Sequence, residues 1–232
     1  LILEDDPGRA DLALRLGQES EESVRRILLQ VLGPTAGADP QVRDRILDGV
    51  KGAYGDEMRE TCVRALAGVQ DPAIVPGFAE ALGNPGTPRA LHPVLIEGMM
   101  AADQAAAAEA LAGLIPAADG ADFRRTLVVA LGKAGGASAE STLLRVLSGD
   151  GDASVRMEAV RALQKYPSRA SLDAAEAASE NDADQAVRTE SERIARILRP
   201  TVEKMEGGPA GGDDGGGGDP HPQPEPPPEG GG

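Results

Sequence analysis

A chain of 232 residues with 41% hydrophobic content is long enough to bury a core, but with two Phe, two Tyr and no Trp that core must consist of Leu, Val, Ile and Ala. The formal charge of -15 argues against non-specific nucleic-acid binding, which depends on Lys and Arg that neutralise phosphates. A single cysteine, Cys62, excludes an internal disulfide, and its apolar neighbours indicate a small core residue.

The first residues carry no export or membrane signal. No apolar run approaches the roughly 18 to 20 residues that span a bilayer, so we expect a soluble protein without a membrane partner. The chain starts at Leu1 instead of Met, and its opening "LIL" has the pattern of a last helical turn, which indicates a fragment of a longer protein. The low cysteine content is compatible with a reducing compartment and favours the cytoplasm.

From residue 7 onward, amphipathic segments with apolar residues at helical spacing follow one another in pairs. The segments "AESTLLRVLSG" and "DASVRMEAVRAL" form one such pair. The pattern predicts six antiparallel helical hairpins, over roughly residues 7–33, 40–68, 71–100, 103–133, 138–165 and 168–199. Each hairpin is too short to bury its own apolar stripe. We therefore expect residues 1–206 to form an all-α, right-handed α-solenoid of stacked hairpins.

An arginine recurs near the start of the second helix of each predicted hairpin, with a period of about 32 residues, as expected for a repeat array. These arginines are Arg25, Arg59, Arg89, Arg124, Arg156 and Arg188. Acidic residues lie six positions before three of them, at Glu19, Asp150 and Asp182. A guanidinium can hold carboxylates and turn carbonyls in a fixed fork, so we interpret the six as a structural ladder that ties repeats together, with a row of anion ligands as the alternative.

The stretch "STLLRVLSGDGDASVRMEAVRALQKYP", residues 141–167, resembles a HEAT or HEAT-like repeat in its leucine-ended first helix, acidic turn and Val-Arg opening of the second helix. The resemblance extends over about residues 7–199 and is looser in the third unit, where Pro88 and Pro93 replace the usual opening. It implies that second helices line a concave face and first helices a convex one. It also implies a structural use of the Asp and Arg pair.

Candidate catalytic residues are scarce, and we predict no catalytic, cofactor-binding or metal-binding residue. The two histidines are His92, next to a predicted helix start, and His221, in the final segment. No Cys-His cluster, HExxH motif or phosphate-binding glycine loop is present in the sequence. The sequence therefore favours a non-enzymatic scaffold that binds another protein or a neighbouring domain. The alternatives are a module similar to the HEAT-like phycobilin lyases, holding a cofactor or substrate, and a HEAT-like DNA glycosylase.

The charge distribution suggests where a protein partner binds. The acidic excess falls on the predicted first helices, whereas the second helices are close to neutral. Positions next to the ladder, or five residues after it, carry further arginines, which we predict to contact an acidic, extended protein segment: Arg26, Arg64, Arg125, Arg161 and Arg193. A second interpretation is that these arginines only balance nearby glutamates on solvated helix faces.

The last 26 residues differ in composition from the rest. Residues 207–232 are rich in Gly, Pro and acidic residues and contain no large apolar side chain. Because such a segment buries too little to offset its ordering entropy, we expect a disordered tail or linker. Its "PQPEPPP" portion is also compatible with a ligand for a proline-binding domain.

Overall fold

A computed structural model of the protein describes residues 7–206, so residues 1–6 and the predicted tail at 207–232 lie outside the described part. Within it, twelve α-helices follow one another without a strand. They are α1 Pro7–Gln18, α2 Glu22–Leu32, α3 Pro40–Val50, α4 Asp56–Leu66, α5 Val75–Gly83, α6 His92–Ala102, α7 Gln104–Leu114, α8 Ala121–Ala134, α9 Ala137–Gly149, α10 Ala153–Leu163, α11 Arg169–Asn181 and α12 Gln185–Glu206. The prediction of an all-α fold is confirmed.

Side-chain caps and turn residues set the starts of these helices. Asp39 accepts hydrogen bonds from the backbone N–H groups of Gln41 and Val42 at the start of α3, at 2.9 and 3.3 Å. Asp103, Asp152 and Ser168 cap α7, α10 and α11 in the same way. Each cap satisfies a backbone donor that has no partner inside the helix, so the boundaries follow from local sequence.

Helices pack in pairs, and each pair packs against the next. The two helices of each hairpin contact each other. Each first helix also packs on the first helix of the next hairpin, from α1 on α3 through to α9 on α11. The second helices form a parallel series from α2 to α12, in which α6 and α8 approach each other least. The result is a layered stack of hairpins whose core runs along its length, as in an α-solenoid.

The core consists almost entirely of aliphatic side chains, with Phe78 as its one fully buried aromatic residue among those described. Glycines allow close packing at two points. A Cβ atom added to Gly98 would lie 2.4 Å from the Phe78 ring, and one added to Gly132 would lie 2.6 Å from the Cβ of Ala162. Small residues thus compensate for the shortage of aromatic volume by letting α8 approach α10.

Candidate functional site

Five of the ladder arginines occupy one structural position, the fourth residue of the second helix in their hairpin. This position holds Arg25 in α2, Arg59 in α4, Arg124 in α8, Arg156 in α10 and Arg188 in α12. Because a helix begins at a turn, a long side chain at this position reaches both the turn of its own hairpin and the turn of the next hairpin.

Two of these arginines bind an aspartate of the following hairpin. Arg124 donates from Nε and Nη2 to the carboxylate of Asp150, at 2.8 and 3.1 Å. Arg156 makes the same fork with Asp182, at 2.8 and 2.8 Å. The hydrogen bonds from Arg156 lower the pKa of Asp182. These geometries are bidentate and partly shielded from water, which strengthens an ion pair relative to an exposed one.

Three ladder arginines bind the turn of their own hairpin through a backbone carbonyl. Arg156 donates from Nη1 to the carbonyl of Asp150 at 2.8 Å, and Arg188 donates to the carbonyl of Asp182 at 2.6 Å. Arg25 donates to the Glu19 carbonyl. The residue six positions before the arginine therefore supplies its carbonyl to that arginine. At Asp150 and Asp182 the carboxylate binds the arginine of the previous hairpin.

The N-terminal hairpins use other partners at the same position. The Arg25 guanidinium lies 4.6 Å from the centre of the Tyr54 ring, a cation–π contact with the second hairpin. Arg59 donates to the carbonyl of Gly86 at 2.9 Å and pairs with Asp56 at 3.1 Å. Contact with the next hairpin is thus kept without an aspartate.

The third hairpin differs from the predicted ladder. Arg89 lies in a 3-10 turn, Arg89–Leu91, directly before α6, and its side chain is exposed. Counted from this turn, the fourth residue is His92, which takes the ladder position. Pro88 and Pro93 account for the difference, because a proline restricts the residue before it and starts a helix later than the other hairpins do.

A second set of cross-links, which the sequence analysis did not identify, joins consecutive first helices. Arg43 in α3 pairs with Asp71 at 2.6 Å, and Glu140 in α9 accepts a hydrogen bond from Ser171 at 2.8 Å. Glu140 also accepts one from the capping residue Ser168. The spacing of Arg43 and Asp71, close to one repeat, is the sequence signal for this set.

The five arginines predicted to contact a partner all lie on second helices, and each is paired within the protein. Their side chains are about half exposed, with ion pairs from Arg26 to Glu22, Arg64 to Glu60, Arg125 to Asp122, Arg161 to Glu158 and Glu190, and Arg193 to Glu190. Each has a pairing acid three or four positions earlier on its own helix. Their positive charge is therefore largely offset locally.

The second helices also carry exposed apolar side chains. Ile27 is 59% exposed and Val31 is 40% exposed, one turn apart on α2, and Val129 and Ile197 are exposed on α8 and α12. A groove of about 530 Å³ lies between α2 and α4, and Ile27 and Val31 are on α2 outside its lining. Its lining is Leu29, Gln30, Gly33, Pro34, Thr61, Arg64, Ala65, Gly68 and Val69. We refer to this as the α2/α4 groove.

Chemical groups for catalysis do not converge in the described residues. Residues 7–206 contain no cluster of His, Cys, Asp and Glu that could hold a metal ion. In the same part of the chain, no helix has both the length and the apolar character needed to cross a bilayer. Cys62 is fully buried, and burial raises the pKa of its thiol to about 12.

Stacked hairpins whose second helices are joined through one repeated position define an α-helical repeat protein. Residues 108–194 match HEAT repeats, and the twelve-helix stack is consistent with a HEAT-like repeat protein. Proteins of this class generally mediate interactions between proteins and are generally non-catalytic. No curated protein matches the chain.

Proposed function

We propose that this protein is a non-catalytic scaffold that binds a segment of another protein along its second helices, with the α2/α4 groove and the exposed Ile27 and Val31 of α2 as the main contacts. The observation that carries the proposal is the apolar surface of the first two second helices, which combines the α2/α4 groove with two exposed aliphatic side chains of α2, Ile27 and Val31. Exposed apolar groups concentrated at one place on a surface are typical of protein interaction sites.

The chemistry of the occupant follows from the lining. Leu29, Pro34 and Val69 offer apolar contact, and Arg64 is the charged residue of the groove. Because the Arg64 side chain is 64% exposed, a partner carboxylate can approach it without a change in the fold of this protein. The best-matched occupant is an amphipathic protein segment with aliphatic side chains followed by an acidic residue.

Apolar contact should contribute more to the affinity for the partner than charge does. The predicted arginines Arg26, Arg64, Arg125, Arg161 and Arg193 already have acidic neighbours, so exposed contacts to a partner contribute only about 0.2 to 1 kcal/mol each. Burying two aliphatic side chains contributes more, about 1.5 to 3 kcal/mol for each one that is fully covered. Affinity should therefore depend mainly on Ile27 and Val31, and the arginine pattern should influence which sequence is selected.

Selection from a random peptide library displayed on phage tests this proposal. The wild-type protein should enrich peptides that combine aliphatic and acidic residues, and the double variant Ile27→Asp with Val31→Asp should no longer retain them. Leu14→Asp is the matched control, because Leu14 is 49% exposed on the first helix α1. Arg64→Glu should shift the enriched peptides from acidic to basic residues.

Three outcomes would contradict the proposal. The first is that no peptide is enriched above an unrelated protein. The second is that the enriched peptides bind the Ile27 and Val31 double variant as well as the wild type. The third is that Leu14→Asp abolishes binding, which would move the contact to the first helices. Thermal melting of every variant confirms that the fold is retained.

A further inference from the structure

The ladder lacks an aspartate between the third and fourth hairpins. Asp150 and Asp182 each end a first helix in an extended conformation, with φ and ψ of -70° and 132°, and -63° and 139°. Ala118 ends the corresponding segment of the fourth hairpin with nearly the same angles, -71° and 121°. The backbone for the ladder carboxylate is therefore present at Ala118, but the side chain is a methyl group.

A cavity lies at this place. It has a volume of about 240 Å³, and its lining includes Thr87, Arg89, His92, Ala118, Asp119 and Phe123. It coincides with the pair of second helices, α6 and α8, that approach each other least. His92, at the ladder position, packs against the Phe123 ring with 4.9 Å between ring centres.

The polar groups around the cavity have unused hydrogen-bonding capacity. The Thr87 side chain is 5% exposed, and its hydroxyl oxygen has no hydrogen-bond partner. The backbone of Thr87 also faces the His92 ring, where a hydrogen bond favours the protonated form of the ring. The exposed Arg89 guanidinium has no ion pair within residues 7–206. A buried polar group without a partner is costly, which favours a ligand that supplies one.

We propose that this cavity binds a carboxylate group, which takes the position of the aspartate that the ladder lacks at Ala118. An imidazolium at His92 and the guanidinium of Arg89 supply the positive charge, as Arg124 and Arg156 do for Asp150 and Asp182. The carboxylate can come from a free small acid or from an acidic side chain of a bound protein. This site is separate from the α2/α4 groove and goes beyond the scaffold function.

Without a ligand, the surroundings of His92 favour its neutral form. Burial lowers the pKa of His92, and the nearby Arg89 lowers it further, while the hydrogen bond to the Thr87 carbonyl acts in the opposite direction. Asp119 is the acidic residue of the lining. The pKa of Arg124 is raised mainly by its hydrogen bond with Asp150, and the charge of Asp119 raises it a little further. Since only the protonated ring offers a second N–H, carboxylate binding takes up a proton and strengthens as the pH falls through the pKa of His92.

Nuclear magnetic resonance of the full chain tests the site directly. The protein has two histidines, so His221 reports on non-specific effects in the same spectrum. The imidazole signals are followed over pH with sodium acetate and with sodium chloride at equal ionic strength. Saturating acetate should raise the pKa of His92 by about one unit, the shift expected for tenfold tighter binding to the protonated ring, and leave His221 unchanged.

A capped peptide with a single Glu distinguishes the two sources of the carboxylate. Saturation at lower concentration than acetate would identify a protein side chain, and a response to acetate alone would identify a free acid. Ala118→Asp should raise the pKa of His92 without ligand and remove the effect of acetate, whereas Ala105→Asp, which adds the same charge on the exposed face of α7, should do neither. If neither acetate nor the peptide moves His92 more than His221, or if a folded Ala118→Asp protein shows an unchanged His92, the proposal is wrong.

Discussion

Replacing Arg156 by alanine should weaken the stack between the fifth and sixth hairpins. The guanidinium makes a bidentate pair with Asp182, and the two side chains are only 13% and 6% exposed. Breaking a buried pair by removing one partner costs about 3 to 5 kcal/mol, since the other charge stays buried. Asp182 keeps a hydrogen bond from the backbone N–H of Asp184 at 2.8 Å, so we expect the lower end, about 3 kcal/mol.

The assay is urea unfolding with a matched exposed arginine. Arg161 on the same helix is 50% exposed and binds Glu158 and Glu190, so Arg161→Ala should cost about 0.2 to 1 kcal/mol. Because Arg156 lowers the pKa of Asp182, the contribution of this pair is present above the ordinary value of 3.8 and is lost as the pH falls through the lower folded value. The two variants should therefore converge in acid. Equal losses of stability at neutral pH would refute the reasoning.

Two further predictions concern packing and reactivity. Gly132→Ala should destabilise the protein by about 1 to 3 kcal/mol, because the new methyl group would lie 2.6 Å from the Cβ of Ala162. Gly113→Ala, at an exposed position of α7 with no atom within 4 Å of the added Cβ, should instead stabilise the protein by about 0.5 to 1 kcal/mol. Thermal melting measures both changes, and a higher melting temperature for Gly132→Ala or a lower one for Gly113→Ala would contradict the prediction. The Cys62 thiol, with its pKa raised to about 12, should react with a thiol reagent at pH 8 only at the rate at which its hairpin opens, and fast labelling of the folded protein would contradict its burial.

The fold was predictable from the sequence because each hairpin repeats the same local signals. Apolar spacing within segments and caps such as Asp152 and Ser168 determine where helices lie, and both are local properties. The repeat period then predicts stacking. The all-α assignment depended on no long-range contact.

The partners of the ladder were harder to predict, because spacing alone does not say which atom of a residue is used. Asp150 lies six residues before Arg156 and 26 after Arg124. The six-residue spacing predicts that this carboxylate pairs with Arg156, whereas in the structure Arg156 binds the Asp150 carbonyl and the carboxylate binds Arg124.

The third hairpin shows a second limit of sequence reasoning. Arg89 fits the arginine period, but a proline-flanked 3-10 turn shifts the helical register by three residues and brings His92 to the ladder position. The cavity beside His92 depends on how far α6 and α8 separate, and it also depends on the absence of a side-chain acceptor at Ala118. A missing group of this kind becomes visible only by comparison with Asp150 and Asp182 in three dimensions.

The equal spacing of the two aspartate pairs has a consequence for changes in chain length. Both Arg124 to Asp150 and Arg156 to Asp182 span 26 residues, and each links a second helix to the turn that follows. Excision of residues 150–181 would place Asp182 at the same distance along the chain from Arg124, with Arg188 behind it as Arg156 now stands behind Asp150. A whole unit can thus be removed from this end, or duplicated, without leaving an arginine or an aspartate of the ladder unpaired. The array can therefore change its length in steps of one repeat.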